Sequence, residues 1–185
     1  MMRFFPIFIT LVSYTTCTQP EPQKEFLGDK QFRTTHPSRL YFNNVRSAYY
    51  YKDRKPNTKI DLFTLRKVYK GKAYPTLVPK IVDNWMKNEA YIFLENNAYP
   101  YFTDSILVKW QHETIDTLQG EYIMTRRTKK QQYEFAGKLF ESLTNSHELS
   151  IKNKKGEWIP LFDNFDDRMN YIATLKDYYR LTEVY

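Results

Sequence analysis

Residues 128–145 read TKKQQYEFAGKLFESLTN, and here the apolar period of the chain lengthens from two to between three and four. Tyr133, Ala136, Phe140 and Leu143 are spaced three and four apart, which predicts an amphipathic helix. Thr128 followed by Gln131 has the form of a capping box, and the pattern stops before Asn145. From residue 39 up to this helix the chain reads as strands and turns. Beyond it come one strand pair and one more helix. Many strands, helix, strand pair and helix, with no regular βα alternation, predict an α+β fold. Its sheet is mainly antiparallel, with two amphipathic helices in the C-terminal third.

Toward the C-terminus, strands at 148–151 and 157–162 flank Asn153–Lys154–Lys155–Gly156, a hairpin signal. Asp163 or Asn164 would cap the last helix, with Phe165, Met169, Ile172 and Leu175 on its inner face and Tyr179 extending it. Toward the N-terminus, 106–111 and 114–125 form a strand pair with Trp110 packed on the sheet. Strands at 77–86 and 89–95 flank Lys87–Asn88 as a hairpin. Pro79 confines the first of these to a sheet edge or a strand end. Residues 60–69 read as another strand. Leu40, Phe42, Val45 and the run Tyr49, Tyr50, Tyr51 read as one or two more.

Residues 1–17 carry Arg3 as their only charge and an apolar run over 4–12 broken by Pro6 and Thr10. They end in Ser13–Tyr14–Thr15–Thr16–Cys17, so the layout is that of a secretion signal. The run is too short to span a hydrocarbon core, which takes about 20 apolar residues. The last five residues resemble a bacterial lipobox, which would make Cys17 a lipidated residue carrying acyl chains such as palmitate. Tyr14 departs from the aliphatic residue usual there. A plain secretory signal and an amphipathic first helix of a cytosolic protein are the alternatives. Cys17 is the only cysteine, so no disulfide staples the fold and the core alone must hold it.

Residues 18–38, with Pro20, Pro22 and Pro37 and balanced charge, read as a flexible tether. Residues 39–185 are enough for a single globular domain. Fifteen Tyr and eight Phe argue against disorder in that part. Five glycines in 185 residues argue against glycine-rich phosphate loops, and no fixed-period repeat is present.

The chemistry is sparse. His36, His112 and His147 lie far apart in sequence, at no metal-ligand spacing, and read as surface or turn residues. No nucleophile elbow, CxxC or HExxH is present, so no catalytic residue, metal site or cofactor is assigned. Asp163, Asp166 and Asp167 fit a helix N-terminus, where carboxylates are favoured. Glu89 and Glu95 would share a strand face and read as surface charge. The charge distribution says more. The chain carries +7 overall, yet residues 39–80 hold eleven Lys or Arg against Asp53 and Asp61, about +9, while 81–185 carry about −3. Tyrosines interleave with Arg46, Lys52, Arg66, Lys67 and Lys70, which marks these five as a candidate anionic-ligand surface. Adjacent strand residues point to opposite faces, so a bulge or strand end would have to gather them. In an exported protein the candidate partners are an anionic envelope polymer, a lipid headgroup or a partner protein, rather than nucleic acid. The plainer alternative is a solvated sheet face.

Residues 39–47 (RLYFNNVRS), Asp83–Asn84–Trp85, residues 89–95 (EAYIFLE) and residues 177–181 (DYYRL) together resemble an uncharacterised lipoprotein family of Bacteroidota-type bacteria. The resemblance runs over most of the domain. It implies a lipid-anchored envelope protein, exported and facing the periplasm or the cell surface, with no catalytic residues to carry over. Two function classes stay open. One is a non-catalytic binding or structural accessory, expected to show a broad basic and aromatic surface. The other is an enzyme acting on an envelope polymer, expected to show a concave pocket with converging titratable groups.

Overall fold

The computed structural model describes residues 30–54, 58–68, 71, 73–97, 99, 104–112 and 118–184. It is an α+β structure with two antiparallel four-stranded sheets. The first holds β1 (Tyr50–Arg54), β2 (Ile60–Leu65), β3 (Leu77–Asn84) and β4 (Glu89–Asn96), in that order across the sheet. The second holds β5 (Ile106–Gln111), β6 (Gln119–Met124), β7 (Glu148–Lys152) and β8 (Trp158–Pro160), in the order β6-β5-β7-β8. Three helices complete it, α1 (His36–Tyr41), α2 (Lys129–Thr144) and α3 (Phe165–Thr182).

The period-two strands place Phe63, Ile81 and Ile92 side by side on the inner face of the first sheet. The next row on that face is Arg54, Asp61, Asp83 and Ala90, so two carboxylates lie opposite each other at the rim of the core. α2 packs on β4, β6 and β7, and α3 packs on β3, β4 and α2. A shared core therefore joins Ile92 and Leu94 of the first sheet to Val108 and Ile151 of the second, through Leu139, Leu175 and Tyr178 of the helices. Burying this apolar surface is the main stabilising term, at about 25 cal/mol per Å².

Several elements differ from the pattern read in the sequence. Residues 36–49 are helical turns and not strands, and only Tyr50–Arg54 is extended. The cause is local. Thr35 and Ser38 form a reciprocal capping box, and Pro37 sits in the first turn, where its missing N–H costs nothing. The folded part also begins earlier than residue 39. Phe32 and Thr34 are buried, the Tyr178 hydroxyl donates to the Gln31 carbonyl at 2.6 Å, and the Thr34 N–H donates to the Asn88 carbonyl at 2.8 Å. Residues 30–38 are thus packed on the domain, while the rest of the expected tether lies outside the described residues.

Both long helices are rotated from their expected faces. α2 buries Gln132, Phe135, Ala136, Leu139, Ser142 and Leu143, leaving Tyr133 and Phe140 half-buried. α3 buries Tyr171, Thr174, Leu175, Asp177, Tyr178 and Leu181, while Phe165 is 72% and Met169 45% exposed. Ile172 is only half-buried. Polar residues occupy the inner positions because each finds a partner there. Gln132 accepts from the Leu94 N–H at 2.8 Å, closing the edge of β4. Thr174 donates to the Asn170 carbonyl one turn back, at 2.9 Å. β3 is an interior strand, yet its pairing to β2 ends at Thr64↔Lys80, so at Pro79 it has a neighbour only on the β4 side.

Candidate functional site

The basic segment folds around the start of β1, and its cations meet acids from elsewhere in the chain. Arg46 donates through Nε to Asp177 Oδ1 at 2.8 Å, and the Tyr50 hydroxyl donates to Asp177 Oδ2 at 2.7 Å. Asp177 is 1% exposed, and Arg180 stands 3.7 Å away. Burial pushes the Tyr50 phenol far above its usual range, and the Asp177 charge adds to that. The hydrogen bond to Asp177 raises Arg46 further, against the opposing effect of its partial burial. This pair of a half-buried guanidinium and a buried carboxylate ties α3 to the chain before β1.

Lys52 lies 2.9 Å from Asp61 Oδ2, and Arg54 donates to Asp61 Oδ1 at 2.8 Å. Burial pushes the Asp61 carboxyl up, but the hydrogen bonds and charges of Arg54 and Lys52 outweigh that and hold it below the usual range. Arg39 donates to Asp83 at 3.2 Å, yet there burial wins and raises the carboxyl. Arg66 donates to the Tyr50 carbonyl at 3.2 Å and lies 5.3 Å over the exposed Tyr51 ring. Arg46 covers the exposed Tyr49 ring at 4.9 Å. Lys67 is exposed, and its carbonyl accepts from Asn170 Nδ2. Among the described residues neither Arg66 nor Lys67 meets a carboxylate. Lys70 and Cys17 lie outside the described residues.

The five candidate residues are therefore not gathered on one face. Tyr51 and Lys52 are neighbours on a strand, so Arg66 over Tyr51 and Lys52 beside Asp61 stand on opposite sides of the sheet. Tyr49, Tyr51 and Arg66 are exposed on the outer side, and Lys67 is exposed in the turn that follows β2, which makes an aromatic and cationic patch. Nearby, Pro37, Ser38, Tyr41, Arg180 and Glu183 line a shallow, open depression, in which Glu183 accepts from the Thr35 hydroxyl.

The second sheet holds a cluster that the sequence reading missed. The β5–β7 register pairs Gln111 with Glu148, which sets His112 opposite His147 one step beyond the ladder. Their ring centres are 5.6 Å apart. His147 stacks on Trp110 at 4.7 Å and 17°, and Trp110 stacks on Tyr122 at 6.3 Å. Ser142, buried on α2, lies 3.0 Å from the Tyr122 hydroxyl and 3.3 Å from His147 Nδ1. His147 is fixed by the end of α2. Its N–H bonds to the Ser142 carbonyl, that of Ser146 bonds to Leu143, and Ser146 takes the left-handed conformation, as in a Schellman motif. Trp110 is accommodated by Gly120 directly across the strand, where a Cβ would stand 2.6 Å from its Nε1.

The acidic candidates are structural. Asn164 caps α3 by accepting from the Asp166 N–H at 2.8 Å, and Asp166 and Asp167 lie in the first turn. Glu89 bonds to Lys129, and Glu95 to Lys80 at 2.5 Å. Among the described residues no group of three or more His, Cys, Asp or Glu is placed to hold a metal ion. Nor is any helix among them long and apolar enough to cross a membrane. No family model, curated protein or solved structure gives a significant match to this chain.

Proposed function

We propose that this protein is a non-catalytic binding or structural accessory of a bacterial envelope, held to the membrane by lipid on Cys17. The exposed patch of Tyr49, Tyr51, Arg66 and Lys67 carries the binding half of this reading. Cations stacked on exposed rings present flat, positive surface suited to an anionic polymer. The layout of residues 1–17 and the lipoprotein-like motifs support the anchored half.

The binding half is tested with detergent-solubilised full-length protein, titrated with an anionic and a neutral polysaccharide at 0.1 M and 1 M salt. The expected result is binding to the anionic polymer alone, weakened at 1 M, where the Debye length shrinks from about 10 to 3 Å. Arg66→Ser with Lys67→Ser should weaken it further. Equal binding to both polymers, or to neither, would reduce the patch to solvated surface. For the anchored half, Cys17→Ala should move the protein out of the membrane fraction. A variant that fractionates as the parent does would refute the anchor.

A further inference from the structure

Independently of the patch on the first sheet, we propose that His112 and His147 form a two-imidazole chelate for a divalent transition-metal ion of the zinc, nickel or copper class. The two residues face each other across β5 and β7, the position from which cross-strand side chains meet. A metal bound at about 2.0–2.1 Å from each nitrogen sits roughly 3.2 Å from each ring centre, so two ligating rings have centres about 5.2–5.5 Å apart at bond angles near 110–120°. The observed 5.6 Å lies within a few tenths of an ångström of that span.

His147 is oriented as metal-ligating imidazoles are. In the tautomer that donates Nδ1–H to Ser142 Oγ, at 3.3 Å, Nε2 keeps the lone pair that binds metal. Ser142 is itself held by the Tyr122 hydroxyl, the ring plane is set by Trp110, and the backbone is locked by the turn after α2. Little ordering entropy is left to lose when a metal binds. Imidazole nitrogen selects zinc, nickel and copper over calcium and magnesium.

The full-length protein is titrated with Cu²⁺, Ni²⁺, Zn²⁺ and, as a control, Mg²⁺, by calorimetry and by quenching of tryptophan fluorescence at neutral pH. One equivalent should bind, with Cu²⁺ tightest, Mg²⁺ not binding, and affinity falling as the pH drops because protons compete for the same nitrogens. His112→Asn and His147→Asn should each weaken binding at least tenfold, His36→Asn should leave it unchanged, and Ser142→Ala should weaken it about tenfold through the lost orientation of His147. His112 lies at a strand end, so His112→Asn keeps the test valid if His147→Asn fails to fold. Metal affinity that survives His112→Asn, or no binding tighter than millimolar in the parent, would overturn the proposal.

Discussion

Around the first sheet Arg39, Arg46 and Lys52 each end on a buried carboxylate, whereas in the second His147, Trp110 and Tyr122 stack beside a buried serine, with His112 tilted against His147. The first region looks electrostatically rich in sequence, and much of its charge is spent inside the fold. The second has an unremarkable sequence and assembles imidazole, indole, phenol and hydroxyl groups. A local excess of cations is therefore a poor guide to the field at a surface. The acids that neutralise it can come from far along the chain, as Asp177 does for Arg46.

A large effect should come from breaking the pair between Arg46 and the buried Asp177. Arg46→Met leaves Asp177 buried with only Tyr50 and the more distant Arg180, and should cost about 3 kcal/mol, near the lower end for such breaks. His147→Asn in the second sheet exchanges one hydrogen-bonding group for another and should cost about 1 kcal/mol. Urea unfolding of both variants measures the contrast, and equal losses would erase it.

The rotation of α3 makes the next prediction. Leu175→Ala should cost about 2–5 kcal/mol through lost burial and a cavity, and half-buried Ile172→Ala clearly less. The reverse order in melting temperatures would restore the face drawn from apolar spacing alone. Gly120→Ala follows. Its Cβ would drive into Trp110, costing about 1–3 kcal/mol and changing the near-ultraviolet dichroism of the stack. An unchanged aromatic spectrum would show that Trp110 is not held there.

The smallest effect is pH-dependent and again belongs to the first sheet. The Asp61 carboxyl is held below its unfolded value of about 3.9, so its contribution is present above roughly pH 4 and is lost as the pH falls through the folded value. Asp83 has the opposite sign. Its carboxyl is raised by burial, so its charge opposes folding at neutral pH and that penalty is relieved on acidification. Asp61→Asn should therefore be less stable than the parent at pH 7, with the gap narrowing as the pH falls below about 4. A gap that is constant with pH would mean that the Arg54 and Lys52 contacts do not favour the Asp61 charge.

The sequence by itself determined what is local. Thr128 and Asn164 cap the two long helices, Asn153–Gly156 turns one hairpin and Lys87–Asn88 another, because caps and turns depend on residues a few positions apart. Only the tertiary structure decided which helix faces lie inside. Gln132, Thr174 and Asp177 are polar, and they are buried because Leu94, Asn170 and Arg46 supply the hydrogen bonds that make burial tolerable. The tertiary structure also decided that β7 joins β5, which brings His112 to His147 from 35 positions away. That pairing rests on α2 carrying the chain back across the sheet, a choice made by the shared core and not by any motif near either histidine.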